Sequence, residues 1–162
     1  MFTKSTRVVI LTGAGISAES GIRTFRAADG LWENHRIEDV ATPDAWKRNP
    51  ELVWSFYQQR RRHLLEVEPN SGHHALVDLE SYLDHFLLVT QNVDDLHERA
   101  GSSNLIHMHG ELAPLRCEAC GHVEVMMDDS HLGENLLTCK KGEGRMRPHI
   151  VWFGEMPMKM PE

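Results

Sequence analysis

Three groups of residues have types and spacings that can do chemistry. Cys117 and Cys120 form a C-x-x-C pair, and Cys139 is the only other cysteine. An odd count with one tight pair points to thiol or metal chemistry and away from a disulfide framework. Structural zinc ordinarily takes four ligands, often a second C-x-x-C after a spacer of roughly 15–20 residues. Its last cysteine would fall at position 142, where Gly142 stands. Three readings stay open: His122 or His131 completes the site, zinc is held weakly, or the segment is a metal-free loop. Secondly, Gly13-Ala14-Gly15-Ile16-Ser17-Ala18 matches G-x-G-x-x-G/A, in which glycines let backbone approach a pyrophosphate and a helix N-terminus faces its charge. Thirdly, Tyr57 and Arg60 are three residues apart and so share a helix face, where a phenol and a guanidinium can grip one carboxylate. The plain alternative is a solvated face, since Arg60, Arg61 and Arg62 form a charge run.

Buried strands must position these groups. Val8, Val9, Ile10 and Leu11 run unbroken into Gly13, the pattern of a parallel strand buried on both faces. Phe86, Leu87, Leu88 and Val89 make a second such run, which delivers the polar sequence TQNVDD at its carboxyl end, and the two are expected in one sheet. Between them Thr42-Pro43 reads as a cap and first turn, Pro50 opens a helix to about Leu65, and Asn70 caps another. Ala75, Leu76, Leu79 and Leu83 recur at helical spacing and are expected in the core.

The 162 residues suit one main domain, with room for a small satellite. A net charge of -7, from 24 acidic and 17 basic residues, has the wrong sign for a protein that neutralises phosphates along a nucleic acid. The apolar run after MFTKSTR is too short for a signal-peptide core or a membrane span, so a cytoplasmic protein with no membrane partner is expected. A hydride-transferring dehydrogenase should carry a ribose-binding acid at the end of a second strand; this chain instead has Glu19-Ser20-Gly21-Ile22-Arg23-Thr24-Phe25-Arg26 and then Asp29-Gly30-Leu31-Trp32. Such a polar, glycine-punctuated loop can cover a cofactor.

GAGIS-A-x-SGI-x-x-FR, Gln91-Asn92-Val93-Asp94, His109-Gly110 and Trp152-Phe153-Gly154-Glu155 stand in the order found in sirtuins, and nearly the whole chain resembles that family, bacterial members above all. The resemblance implies an NAD+-dependent protein-lysine deacylase that transfers the acyl group to ADP-ribose and releases nicotinamide, with acylated lysines of proteins as partners. It implies an α/β fold: a partial Rossmann-like parallel sheet with helices plus a small helical and zinc-ribbon-like insert module. Residues 1–40, 84–112 and 148–162 would form the NAD-binding core, 41–83 a helical segment and 113–147 the zinc-ribbon-like module.

By the same resemblance Gly13, Ala14, Gly15, Ile16, Ser17, Gly21, Arg23, Phe25, Arg26, Trp32, Gln91, Asn92, Val93 and Asp94 bind the cofactor. Phe25 shields the ribose, Arg26 lies near the phosphates, Gln91 sits beside the ribose, and Asn92 and Asp94 surround the nicotinamide. His109 becomes the general base, a role suited to a side chain with an ordinary pKa of about 6.5. His107, two residues earlier, would share its strand face but lacks the following glycine. His35, His63, His85 and His149 are read as structural or exposed. Tyr57 and Arg60 resemble the pair of the branch that accepts succinyl-, malonyl- and glutaryl-lysine, with a small residue at Ala27 or Ala28 leaving room for the acyl chain; acetyl-lysine is expected as a substrate too. Cys117, Cys120 and Cys139 are the implied zinc ligands.

The family also carries further strands with a Gly-Thr-Ser turn and Asn-containing loops for the adenosine half of NAD+, so the chain reads as truncated. The alternative function is therefore an inactive relic with partial NAD or ADP-ribose binding. An unrelated dinucleotide oxidoreductase is the third reading.

Overall fold

The computed structural model describes residues 3–23, 31–32, 34–125, 133 and 135–158. In chain order the elements are β1 (Arg7–Thr12), β2 (Leu31–Trp32), β3 (His35–Arg36), α1 (Ile37–Val40), α2 (Pro43–Arg48), α3 (Pro50–Leu64) and α4 (Ser71–Tyr82). There follow β4 (His85–Thr90), α5 (Leu96–Ala100), β5 (Leu105–His107), β6 (Gly110–Cys117), β7 (Val123–Val125) and β8 (Met146–Ile150). They divide into two compact units: Met1–Thr24 with Val67–Gly110 and Pro157–Glu162, and Phe25–Glu66 with Glu111–Met156. No helix among the described residues is long and apolar enough to cross a membrane.

The first unit holds a parallel sheet in the order β1-β4-β5, which puts the two apolar runs in one sheet as expected and makes them direct neighbours. Its register aligns Thr12, Thr90 and His107, so the carboxyl ends of all three strands stop in one row. Expected burial on both faces of β1 is not met. Val9 is 68% and Leu11 60% exposed, because no described element packs on that face. The core expectation for α4 is likewise corrected: Leu83, just past its end, is buried, but Leu76 and Leu79 are half-buried and Ala75 is exposed. A helix against a narrow sheet covers only the side chains that point at it, and the fully buried residue of α4 is His73.

The helix starts follow their caps. Thr42 accepts from the Ala45 amide with Pro43 in the first turn, and Asn49 accepts from the Leu52 amide before Pro50. Asn70 accepts from the Gly72 amide, and His73 Nδ1 in return takes the Asn70 N–H at 3.2 Å, forming a capping box.

The second unit packs α1–α3 with a sheet in the order β7-β6-β8. Residues 148–150 run in β8, beside β6. Its interior is aromatic: Trp54, Phe56, Tyr57 and Trp152 are all at most 2% exposed. Arg61 is buried among them at 1%, donating to the Ala113 carbonyl at 2.7 Å and to Gln58 Oε1 at 3.1 Å. The arginine run is thus not one solvated face, because helical geometry turns its middle member inward.

Candidate functional site

At the carboxyl ends of β1 and β4 the polar groups lock together. Open α/β sheets bind ligands at this edge. Ser17 is fully buried; its hydroxyl donates to Asp94 Oδ2 at 3.0 Å and accepts from Asn92 Nδ2 at 3.0 Å. The Asn92 amide donates to Thr90 Oγ1 at 3.0 Å, and the Leu96 amide to Asp94 Oδ1 at 3.3 Å. Burial pushes the Asp94 carboxyl above the ordinary range, opposed by the Ser17 hydroxyl and the Leu96 amide. Val93 is half-buried between these two residues, and Gln91 is exposed.

Residues 14–21 form successive turns, with Ile16 N–H to Gly13 carbonyl, Ser17 to Ala14, Ala18 to Gly15, Ser20 to Ser17 and Gly21 to Ala18. The expected helix N-terminus is not there. Short polar residues compete locally for the backbone and favour turns over helix. A Cβ on Gly13 or Gly15 would meet nothing within 4 Å, so both leave space in front of the chain, as a phosphate-binding loop requires. Gly21, at φ 99°, takes a backbone that other residues avoid. The Asn70 side chain anchors the loop through the Ile16 carbonyl at 2.7 Å and Ser20 Oγ at 2.9 Å. Arg23 is exposed. Phe25, Arg26, Ala27 and Ala28 lie outside the described residues.

His109 lies in the turn after β5, so it does not share a strand face with His107 as expected. Its Nδ1 is 3.1 Å from the Gln91 carbonyl oxygen. A carbonyl only accepts, so the neutral ring carries its proton on Nδ1 and keeps the Nε2 lone pair. His107, buried, is clamped by two acceptors: the Asn92 carbonyl at 2.9 Å and Glu98 Oε1 at 2.6 Å.

Behind this edge lie two histidines that the sequence reading passed over. His97 and His73 are fully buried with rings 4.9 Å apart, and His97 Nε2 meets Thr12 Oγ1 at 3.0 Å. Burial lowers His97 to about 4 and lowers His73 as well. The only signals were the Asn70-x-x-His73 capping spacing and a histidine inside the apolar start of α5.

In the second unit Tyr57 and Arg60 sit in an aromatic box. Tyr57 Oη accepts from Trp152 Nε1 at 3.2 Å. Burial raises its pKa, outweighing the Trp152 hydrogen bond and the nearby Arg60 charge, so the phenol stays neutral. The Arg60 guanidinium lies 3.3 Å from the Phe56 ring centroid and 4.6 Å from that of Trp32, and Nη1 donates to the Phe56 carbonyl at 2.8 Å. Trp32, expected with the cofactor loop, packs edge-on against Phe56 and Tyr57. Trp152 is itself fixed: Arg147 lies 3.4 Å over its ring and makes a two-point pair with Glu155 at 2.7 and 2.8 Å.

The Sγ atoms of Cys117, Cys120 and Cys139 all lie within 4.8 Å of one another, and among the described residues no histidine or carboxylate joins them. His122 does not complete the set, and His131 lies outside the described residues. The Cys120 amide points at Cys117 Sγ at 3.5 Å and the Lys141 amide at Cys139 Sγ at 3.4 Å, donors that stabilise thiolates. Three converging soft donors with such support fit zinc.

The Sir2 family model matches residues 13–162. The chain is 57% identical over 161 residues to an NAD-dependent protein deacylase of Pasteurella multocida, covering 98% of this chain and 68% of that protein. To one of Shigella flexneri it is 59% identical over 159 residues, covering 96% and 58%. Among solved structures, a Sir2 homologue–NAD complex superposes with TM-score 0.81 at 46% identity, over 92% of this chain and 58% of that one. A mutant Sir2 homologue with ADP-ribose gives 0.83 at 45%, over 93% and 60%. The chain belongs to the Sir2 family. It spans 58% of the length of the Shigella relative and 60% of the ADP-ribose complex.

Proposed function

We propose that this protein acts as an NAD+-dependent protein-lysine deacylase, removing acetyl and acidic acyl groups such as succinyl and malonyl. The observation that carries the reading is His109, whose Nδ1 proton is committed to the Gln91 carbonyl, on the strand-end edge where Ser17, Asn92 and Asp94 are locked together. The relatives named as NAD-dependent protein deacylases support it.

When bound, NAD+ supplies the ribose carbon attacked by the acyl oxygen and the nicotinamide that leaves. The open backbone at Gly13 and Gly15 would receive its phosphates, with Ala14, Ile16, Gly21 and Arg23 in the same segment. Asn92 and Asp94, unable to turn away because Ser17 holds both, present an amide and a carboxylate to the nicotinamide side, where a carboxylate favours developing positive charge. His109 Nε2 then takes a proton from a hydroxyl brought against it. Tyr57, accepting from Trp152, has its own O–H to donate, and with Arg60 it would hold the distal carboxylate of an acidic acyl chain. The acylated lysine of a protein is the partner, and Cys117, Cys120 and Cys139 would hold the zinc.

Incubation with NAD+ and acetylated or succinylated peptide, followed by mass spectrometry, is expected to show free nicotinamide and acyl-ADP-ribose. Binding of ADP-ribose with no nicotinamide release would leave only the binding reading.

A further inference from the structure

We propose that the cysteine cluster is an open metal site: three thiolates hold the ion, and its fourth coordination place, at Gly142, takes a small ligand from outside the chain. Structural zinc sites are closed by four protein ligands, whereas sites with three protein ligands keep a place for an exogenous one. This chain supplies three sulfurs, all within 4.8 Å of one another, with no histidine or carboxylate beside them among the described residues.

The location of the fourth corner follows from the two loops that carry the thiols. Position 142 follows Cys139 at the spacing by which Cys120 follows Cys117, so it is the counterpart of Cys120. Each loop directs an amide at its first sulfur, from Cys120 in one and Lys141 in the other. Cys120 Sγ and Cys139 Sγ approach to 3.8 Å, spanning the two loops. A Cβ at position 142 would stand 3.2 Å from Cys120 Sγ, so this residue faces the cluster. Gly142 is not among the glycines with positive φ, and its backbone therefore does not require glycine. What glycine does here is keep a Cβ from crowding Cys120 Sγ, and it brings no donor atom of its own to the set.

Gly144 makes the contrast. There a Cβ would lie 2.8 Å from Cys117 Sγ and 2.6 Å from the Ala119 Cβ, so glycine is needed for packing alone. The surroundings are held firmly: Arg145 pairs with Glu118 at 2.7 Å, and the Cys139 amide donates to the Gly144 carbonyl at 2.9 Å. Cys120 is exposed, giving the outside ligand access. A soft anion, a small thiolate above all, matches the donor set.

Cobalt(II) substituted into the metal-free, reduced chain tests this by absorption. One cobalt per chain is expected, with tetrahedral bands. Added 2-mercaptoethanol should raise the thiolate-to-cobalt charge-transfer intensity by about one third, as three sulfur donors become four. Gly142→Cys should show the higher intensity without added thiol and no response to it. The proposal is overturned if the wild-type spectrum ignores the thiol, if no cobalt is taken up, or if His122→Ala or His131→Ala changes the spectrum and so reveals a fourth protein ligand. The wild-type titration decides even if Gly142→Cys fails to fold.

Discussion

Trp152 donates its indole N–H to the hydroxyl of Tyr57 at 3.2 Å, and both side chains are almost fully buried. The phenol is thereby an acceptor on one side and keeps its proton for another partner. If that partner is the carboxylate of a succinyl-lysine, Arg60→Met should raise KM for a succinylated peptide by about 10- to 150-fold, the range of roughly 1.5–3 kcal/mol for charged hydrogen bonds. Turnover of acetyl-lysine should change little. Tyr57→Phe should show the same selectivity more weakly, with a lower melting temperature because Trp152 Nε1 loses its buried acceptor, at about 1–3 kcal/mol. Equal losses on both substrates would remove the acidic-acyl assignment and leave the pair a structural role.

His97 predicts a pH-dependent stability. Its pKa is about 4 in the folded chain against 6.5 in the unfolded one, because burial opposes the charge. Between these values the unfolded state binds the extra proton, so stability falls as pH drops through this window. Up to about 3 kcal/mol is at stake for a fully buried group. His73, lowered in the same direction, adds to the effect, while the raised Asp94 carboxyl opposes it at the acid end. Melts from pH 7 to pH 4.5 should therefore be steeper for the wild type than for His97→Gln. Parallel curves would show that His97 does not titrate.

Asn70 joins the start of α4 to the glycine loop, capping the helix and bonding the Ile16 carbonyl and Ser20 Oγ. Asn70→Ala is expected to lower stability by about 1–2 kcal/mol through the lost cap. It should also weaken ADP-ribose binding, read by calorimetry. Asn70→Asp keeps the cap acceptor but not the two donations, so it should restore stability more than binding. Full recovery of both would separate the loop from the cap.

Much of this arrangement was legible because backbone rules act locally. Pro43, Pro50 and Asn70 mark the helix starts they were read as marking, and the two apolar runs pair in parallel. Legibility ended where a tertiary partner decides. The spacing of Ala75, Leu76 and Leu79 reports a helix, not how much surface the sheet offers it. The charge run hid that Arg61 shares the helical stripe of Trp54, Tyr57 and Leu64, and the role of Trp152 depends on Tyr57, which lies in a distant part of the chain. His73 and His97 were hidden because a lone histidine carries no periodic signal. The turns at 14–21 were misread as a helix start since the glycine pattern fits both.

His109→Tyr tests the centre of the functional reading. The substituted ring has no basic nitrogen, and the Gln91 carbonyl loses the Nδ1–H that now orients the imidazole. His109 is half-buried in a turn and fixed by this one described hydrogen bond, so the fold should tolerate the change, with a melting temperature close to wild type. Deacylation, followed by peptide mass, should fall by far more than tenfold, because general-base catalysis contributes about 10²–10⁴-fold. His109→Gln supplies the comparison: its amide can still donate to Gln91 but cannot take a proton at neutral pH, so it should be equally inactive. If either variant kept more than a tenth of the activity, the lost transition-state stabilisation would be below about 1.4 kcal/mol and the base would have to be sought elsewhere. Activity lost together with a collapsed melt would instead show that the turn, not the imidazole, had been removed.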